Sequence, residues 1–338
     1  MTARQVPDPP VWDVHAHYLP QEAIEPMGVG PVQVRLDTWQ DVADNITVNG
    51  MPVGATIHQL SDPDYLIAAS DRAGIDIRIL SPPPFTYRYW DDPARSVELC
   101  RLLNNATADV VSRFPDRFRG LATVPLQDAE LAAAEWRRAR DELGLEGVTV
   151  GTNVDGENVD APARREFLAE LAQDGAPLLV HPDFVPNPRI SSHYLVNMVG
   201  MPTETAITMS NMLFSGLFDE IPSLRVCFMH GGGSAPYILG RWDLGWQVRP
   251  ESKTDSDRNP SAYMGNIFCD TLTHSPVALA YLVEVMGPEN VVLGTDLPFD
   301  VEDPDPRGHL RRAPRLDDAT RQIIETVSPL RWLKGDSR

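Results

Sequence analysis

The sequence predicts an α/β fold, a (β/α)8 TIM barrel with an insertion after its first strand. Three observations carry this. Eight short apolar runs, near residues 11, 76, 120, 148, 178, 225, 267 and 291, are mostly followed by helix-like segments, and repeated βα units favour a parallel sheet with helices outside. No Gly-x-Gly-x-x-Gly follows the first run, which removes the commonest support for an open dinucleotide-binding sheet. Histidines and one aspartate stand at the C-terminal ends of several runs, where barrel active sites sit.

The elements follow in order. Pro7, Pro9 and Pro10 cannot pair centrally in a sheet, so the first strand is read from Val11 to Val14, with His15 and His17 leaving its end. Residues 18–60 are rich in Gly, Pro, Asp and Asn without firm periodicity and are assigned as an insertion over the site. Ser61-Asp62-Pro63 caps a helix that runs to Gly74. Ile75 to Leu80 is a strand, opening into the stiff Ser81-Pro82-Pro83-Pro84. Helices over 94–113, 131–143 and 164–173 alternate with strands over 120–124, 147–150 and 177–181. A helix over 203–219 precedes the strand Leu224 to His230. Ile267 to Cys269, with Asp270 at its end, is followed by a helix over 276–286, and Val291 to Asp296 is the last strand. A helix over 317–327 closes the tail. Neither an internal repeat nor a composition break divides residues 1–338, which are assigned to one domain.

Composition narrows the partners. The chain carries 48 acidic and 29 basic residues, a formal charge of −19, so it repels phosphate backbones and anionic membranes. Nucleic acid and membrane are therefore not expected partners. Cys100, Cys227 and Cys269 are odd in number and lie in apolar runs, as buried free thiols of a reducing compartment do. With no signal-like N-terminus, the expected location is the cytoplasm.

His15 and His17 lie two apart, so an extended backbone turns both imidazoles to one face, where they can share a divalent ion. His181, His230 and Asp296 end three other predicted strands. A barrel brings all five to one mouth. Imidazoles with one carboxylate suit zinc, with manganese or iron possible.

Several stretches resemble the amidohydrolase superfamily, and within it the metal-dependent nonoxidative decarboxylases. They are Asp13-Val14-His15-Ala16-His17, Leu102-Leu103-Asn104-Asn105, Arg117-Phe118-Arg119-Gly120-Leu121, Val180-His181-Pro182, Val199 to Thr205, Cys227 to Gly233 and Leu293 to Phe299. The resemblance, from about residue 10 to 335, implies a barrel of the metal-dependent hydrolase type. It implies that His15, His17, His181 and Asp296 bind zinc and that His230 is the acid/base, with Asp296 also catalytic. It further implies that Arg241 reaches into a neighbouring subunit to hold a substrate carboxylate, which makes the protein a homodimer. Two features depart from the family. The arginine expected just before Asp62-Pro63 is missing, Arg35 being the nearest, and Ser192-His193-Tyr194 stands where the family has an active-site tryptophan.

The activity implied is release of carbon dioxide from a small unsaturated or aromatic acid. The same metal and base would equally serve a hydrolase or hydratase of a related small molecule, and the substrate pocket decides. Phe85 and Trp90, after the three prolines, together with His193, are candidate substrate contacts. His58, His274 and His309 are assigned to the surface or to hydrogen bonds, His274 having the better claim on the site because it lies in a strand-end loop. Gly231-Gly232-Gly233 is assigned to close backbone approach, since no lysine follows as in a phosphate loop.

Overall fold

A computed structural model describes residues 9–335; Pro7 of the lead-in lies outside them. The first strand, β1 (Trp12–His17), precedes a small antiparallel sheet of β2 (Val34–Trp39), β3 (Val42–Val48) and β4 (Met51–Thr56). Then come β5 (Ile77–Ser81), β6 (Phe118–Thr123) and β7 (Gly147–Val150), the two-residue strands β8 (Asn153–Val154) and β9 (Glu157–Asn158), and β10 (Leu178–Val180), β11 (Val226–Phe228), β12 (Ile267–Asp270) and β13 (Val291–Val292). Eight of these, in the order β1-β5-β6-β7-β10-β11-β12-β13, form one parallel sheet. Main-chain bonds close it into a barrel. Val14 donates to the Leu293 carbonyl (2.9 Å), Asp296 to that of His15 (2.8 Å) and His17 to that of Leu297 (2.8 Å), and Ala16 bridges Leu297.

Every barrel strand falls where the sequence predicts it, but the last is shorter. Only Val291 and Val292 are regular strand; residues 293–297 continue as irregular backbone bonded to β1. The helix Pro63–Ala73 is capped as expected, Asp62 accepting from the Asp64 amide and Gly74 ending it at φ 71°. The β2–β4 sheet escaped sequence reading because its alternation is broken. Registers shift between Asp37 and Trp39 and between Asn45 and Thr47, while Trp39, Val42 and Met51 stay exposed. The helix Ala235–Val248 was missed too; Gly240 and Gly245 lower its intrinsic propensity.

Alternation along the strands fills the barrel. Trp12, Val14, Ile77, Ile79, Leu121, Leu179, Cys227, Met229, Phe268 and Val292 form one buried cluster, which Trp332 and Leu333 of the helix Ser328–Lys334 complete. Arg225, one residue ahead of β11, donates to the Trp332 carbonyl (2.7 Å), so this helix seals the end where the strands begin. The opposite end stays open. No helix among the described residues is long and apolar enough to cross a membrane.

Candidate active site

A bulge in β1 sets the site. Trp12 and Val14 face the interior, but the register slips between Asp13 and Ala16. A slip of one residue exchanges the faces of a strand. Beyond it Ala16 joins the cluster under the helices, and His15 and His17 turn into the mouth with ring centroids 5.2 Å apart. His181 follows β10, and its ring lies 5.1 Å from both. His230 follows β11 at φ 58°, its ring 5.0 Å from that of His181. Asp296 follows β13 at φ 62°.

The five side chains converge on one carboxylate. Asp296 Oδ1 lies 3.2 Å from His15 Nε2, 2.9 Å from His17 Nε2 and 4.0 Å from His181 Nε2. Its other oxygen, Oδ2, lies 3.4 Å from His230 Nε2. His15, His181, His230 and Asp296 offer ligand atoms within 4.8 Å of one another. The far nitrogens divide the set. His15 Nδ1 meets Asp270 Oδ2 at 2.6 Å and His181 Nδ1 meets the Pro182 carbonyl at 2.8 Å, while His17 Nδ1 and His230 Nδ1 are buried without a hydrogen-bond partner. Asp270 also accepts from the Gly231 amide (2.6 Å), tying His15 to the loop that carries His230. Sequence reasoning passed over Asp270, although it too ends a strand.

Electrostatics single out a charge imbalance. Burial would lower the His15 pKa, but Asp296 and the hydrogen bond to Asp270 push it up to about 10. Burial keeps His17 low, and burial with three imidazole neighbours holds His181 well below the usual range. Burial would raise Asp296, yet the histidines, His15 foremost, hold it well below an ordinary carboxylate. His15 Nε2 and His181 Nε2 are buried with no hydrogen-bond partner, both directed at Asp296. Orphaned imidazole nitrogens around an ionised carboxylate, with the opposite ring nitrogens fixed by acceptors, are the donor set of a divalent metal site. The residues fit such an ion.

A cavity of about 980 Å³ opens from His230 and Asp296 along Met201, Leu272, His274 and Tyr281. It also exposes Asp300 and Glu302, and no lysine or arginine is among its lining residues. Burial pushes the Glu302 carboxyl up to about 7, with Arg78 opposing. A smaller recess beside His181 and Asp296 is walled by Phe85, Phe184, Tyr194 and Phe299, with Val53 of β4 at its edge.

Of the candidate substrate contacts, Phe85 is therefore at the site and two others are not. Trp90 lines neither space, because it stacks 4.3 Å from the Arg88 guanidinium, which the Met27, Val29 and Val32 carbonyls hold. His193 is exposed; successive left-handed residues at 193 and 194 bring Tyr194 to the recess instead. Arg241 is exposed on the helix Ala235–Val248, with no hydrogen bond or ion pair among the described residues, and it is not in the lining of its own chain's cavity. Arg35 lies on β2 and bonds Gln33.

The family model described as "Amidohydrolase" matches residues 12–327. A Dictyostelium discoideum protein named 2-amino-3-carboxymuconate-6-semialdehyde decarboxylase is 35% identical over 329 residues, covering 96% of this chain and 91% of its own. A gamma-resorcylate decarboxylase from Rhodococcus jostii is 31% identical over 254 residues, 70% of this chain and 77% of its own. Among solved structures, a dihydroxybenzoic acid decarboxylase from Polaromonas sp. JS666, with bound manganese and an inhibitor, superposes with a TM-score of 0.79. It is 23% identical and covers 97% of this chain and 98% of that one, a likeness of fold.

Proposed function

This chain belongs to the amidohydrolase family and to its metal-dependent nonoxidative decarboxylases, and from that premise we propose how its residues release carbon dioxide from a small unsaturated or aromatic carboxylic acid. His15, His17, His181 and Asp296 hold one divalent ion, and His230 moves the proton. The observation that carries this reading is the pair of buried, partnerless nitrogens His15 Nε2 and His181 Nε2 aimed at Asp296. The donor set favours zinc; manganese, present in the Polaromonas enzyme, is the alternative.

When bound, such an ion acts as a Lewis acid on substrate oxygen and acidifies water. The chain supplies the rest. Loss of carbon dioxide leaves an electron pair on the ring or alkene carbon, and that carbon must take a proton. His230 Nε2 is placed to deliver it: it alone faces Asp296 Oδ2, and its side chain is 14% exposed where those of His15, His17 and His181 are 3% or less. Asp296 Oδ2 orients that imidazole. Phe85, Phe184 and Phe299 offer flat apolar walls to a planar acid and exclude water.

We assign residues 1–338 to one domain in which the 18–60 insertion covers the site. Val53 at the recess supports this, as does Gly54, whose added Cβ would lie 2.2 Å from Asp300. The three cysteines are buried and unpaired, which supports a cytoplasmic location.

A carboxylate substrate meets no lysine or arginine in this chain's cavity lining, and Arg241 has no partner among the described residues. We therefore assign a homodimer in which Arg241 of one chain completes the other's site, a planar guanidinium suiting bidentate capture of a carboxylate. The same helix exposes Tyr237, Leu244 and Val248, which a second copy would cover. Mixing inactive His230→Ala and Arg241→Ala chains is expected to restore part of the activity, since one of the two sites then has both residues intact. No recovery after confirmed exchange, or a monomer in solution, removes the dimer reading.

The activity itself is tested with 2,6-dihydroxybenzoate and 2-amino-3-carboxymuconate-6-semialdehyde, followed by carbon dioxide release. The expected result is metal-dependent release from at least one. Turnover of esters or amides, with no carbon dioxide from any acid, would point to a hydrolase instead.

A further inference from the structure

The seam where the barrel closes is carried by irregular backbone over residues 293–297, and the metal-ligand candidates sit on both sides of it. His15 and His17 are on β1; Asp296 follows β13, which has only two regular residues. Asp296 also occupies the left-handed region, at φ 62°, which a residue with a Cβ adopts only when its surroundings hold it there.

A buried polar network lies directly behind this turn. Asp13, Arg78 and Thr295 are 0%, 2% and 1% exposed. Because Asp13 precedes the β1 slip, it points away from the interior, toward Arg78, its register partner on β5. The Arg78 guanidinium contacts Asp13 Oδ2, donates to Thr295 Oγ1 (2.8 Å), and through Nε donates to Ser70 Oγ (2.7 Å). The Thr295 hydroxyl donates to Asp13 Oδ2 (2.7 Å) and its amide to Asp13 Oδ1 (3.2 Å). Asp13 Oδ1 also accepts from the His15 amide (3.0 Å). One carboxylate thus grips the backbone next to Asp296 and the backbone of His15, and one guanidinium locks that carboxylate in place.

We propose that Asp13, Arg78 and Thr295 are positioning residues that fix the spacing of Asp296 from His15 and His17, and so set the affinity of the metal site. The main-chain bonds across this seam come from irregular backbone, among them the Asp296 amide to the His15 carbonyl (2.8 Å) and the His17 amide to that of Leu297 (2.8 Å). Side-chain bonds from a single carboxylate to both sides brace that irregular turn from behind. None of the three lines the cavity, and their hydrogen bonds reach the ligand-bearing segments through the His15 amide and the backbone beside Asp296. This inference rests on the ligand assignment of the preceding section.

The test is Thr295→Val, which keeps the side-chain shape, removes the hydroxyl and leaves Asp13 paired with Arg78. Zinc affinity is measured by competition with a chromophoric chelator, and the melting temperature of the metal-free protein is measured alongside. The expected result is a 10–100-fold weaker affinity, the range typical of lost supports behind metal ligands, with the metal-free melting temperature close to that of the wild type. Thr295→Ser keeps the hydroxyl and is expected to stay near wild-type affinity. Thr295→Ala against Thr295→Ser repeats the comparison should the valine variant fail to fold. Equal affinity in the variants with and without the hydroxyl would overturn the network's role while leaving the ligand assignment standing. A wild-type protein that takes up no ion would remove both.

Discussion

His15→Ala and Asp296→Ala are each expected to strip the metal ion and the activity together, the largest effect anticipated for any single change in this chain. The wild type should hold about one divalent ion per chain by elemental analysis. Asp296 is the only carboxylate at the centre of the cluster, with Oδ1 2.9 Å from His17 Nε2 and 3.2 Å from His15 Nε2. Its removal takes away the one carboxylate, among the described residues, that faces all four imidazoles. His15 is the imidazole most firmly pre-set, with Asp270 fixing its far nitrogen and Asp13 its amide. Loss of a supporting residue behind a ligand costs roughly 10–100-fold in affinity, and loss of the ligand itself should exceed that. Full occupancy in either variant would remove the assignment.

His230→Ala is expected to behave differently: metal retained, rate lowered by about 10² to 10⁴, the range for a lost general acid/base. The geometry separates it from the others. Three imidazoles gather on Asp296 Oδ1 and His230 alone on Oδ2. Its side chain is 14% exposed where those of His15, His17 and His181 are 3% or less, and it lines the cavity, as a proton carrier must. Elemental analysis of the purified variant, set beside its kcat, decides. Loss of the ion would make His230 a ligand, in keeping with its ligand atom lying within 4.8 Å of those of His15, His181 and Asp296.

The sequence by itself determined the barrel, because eight buried parallel strands read as apolar runs and their helices carry caps that need no tertiary context, as Asp62 and Gly74 do. It determined which histidines meet as well. A residue at the C-terminal end of a barrel strand has one place to go, so His15, His17, His181, His230 and Asp296 could be gathered before any distance was known. Tertiary structure alone decided what depends on relations between distant segments. The β1 slip that turns His15 inward follows from pairing with β5, which no local pattern encodes. Asp270 becomes the support of His15 only once β13 seats β12 and β1 on its two sides, with Gly294 between the two side chains. Trp90 follows the three prolines much as Phe85 does, yet carbonyls from the insertion capture Arg88 and draw the tryptophan over it, away from the site. The β2–β4 sheet stayed hidden because its apolar residues are divided between a small core and exposed positions such as Met51, which erases the alternation that marks a half-buried strand.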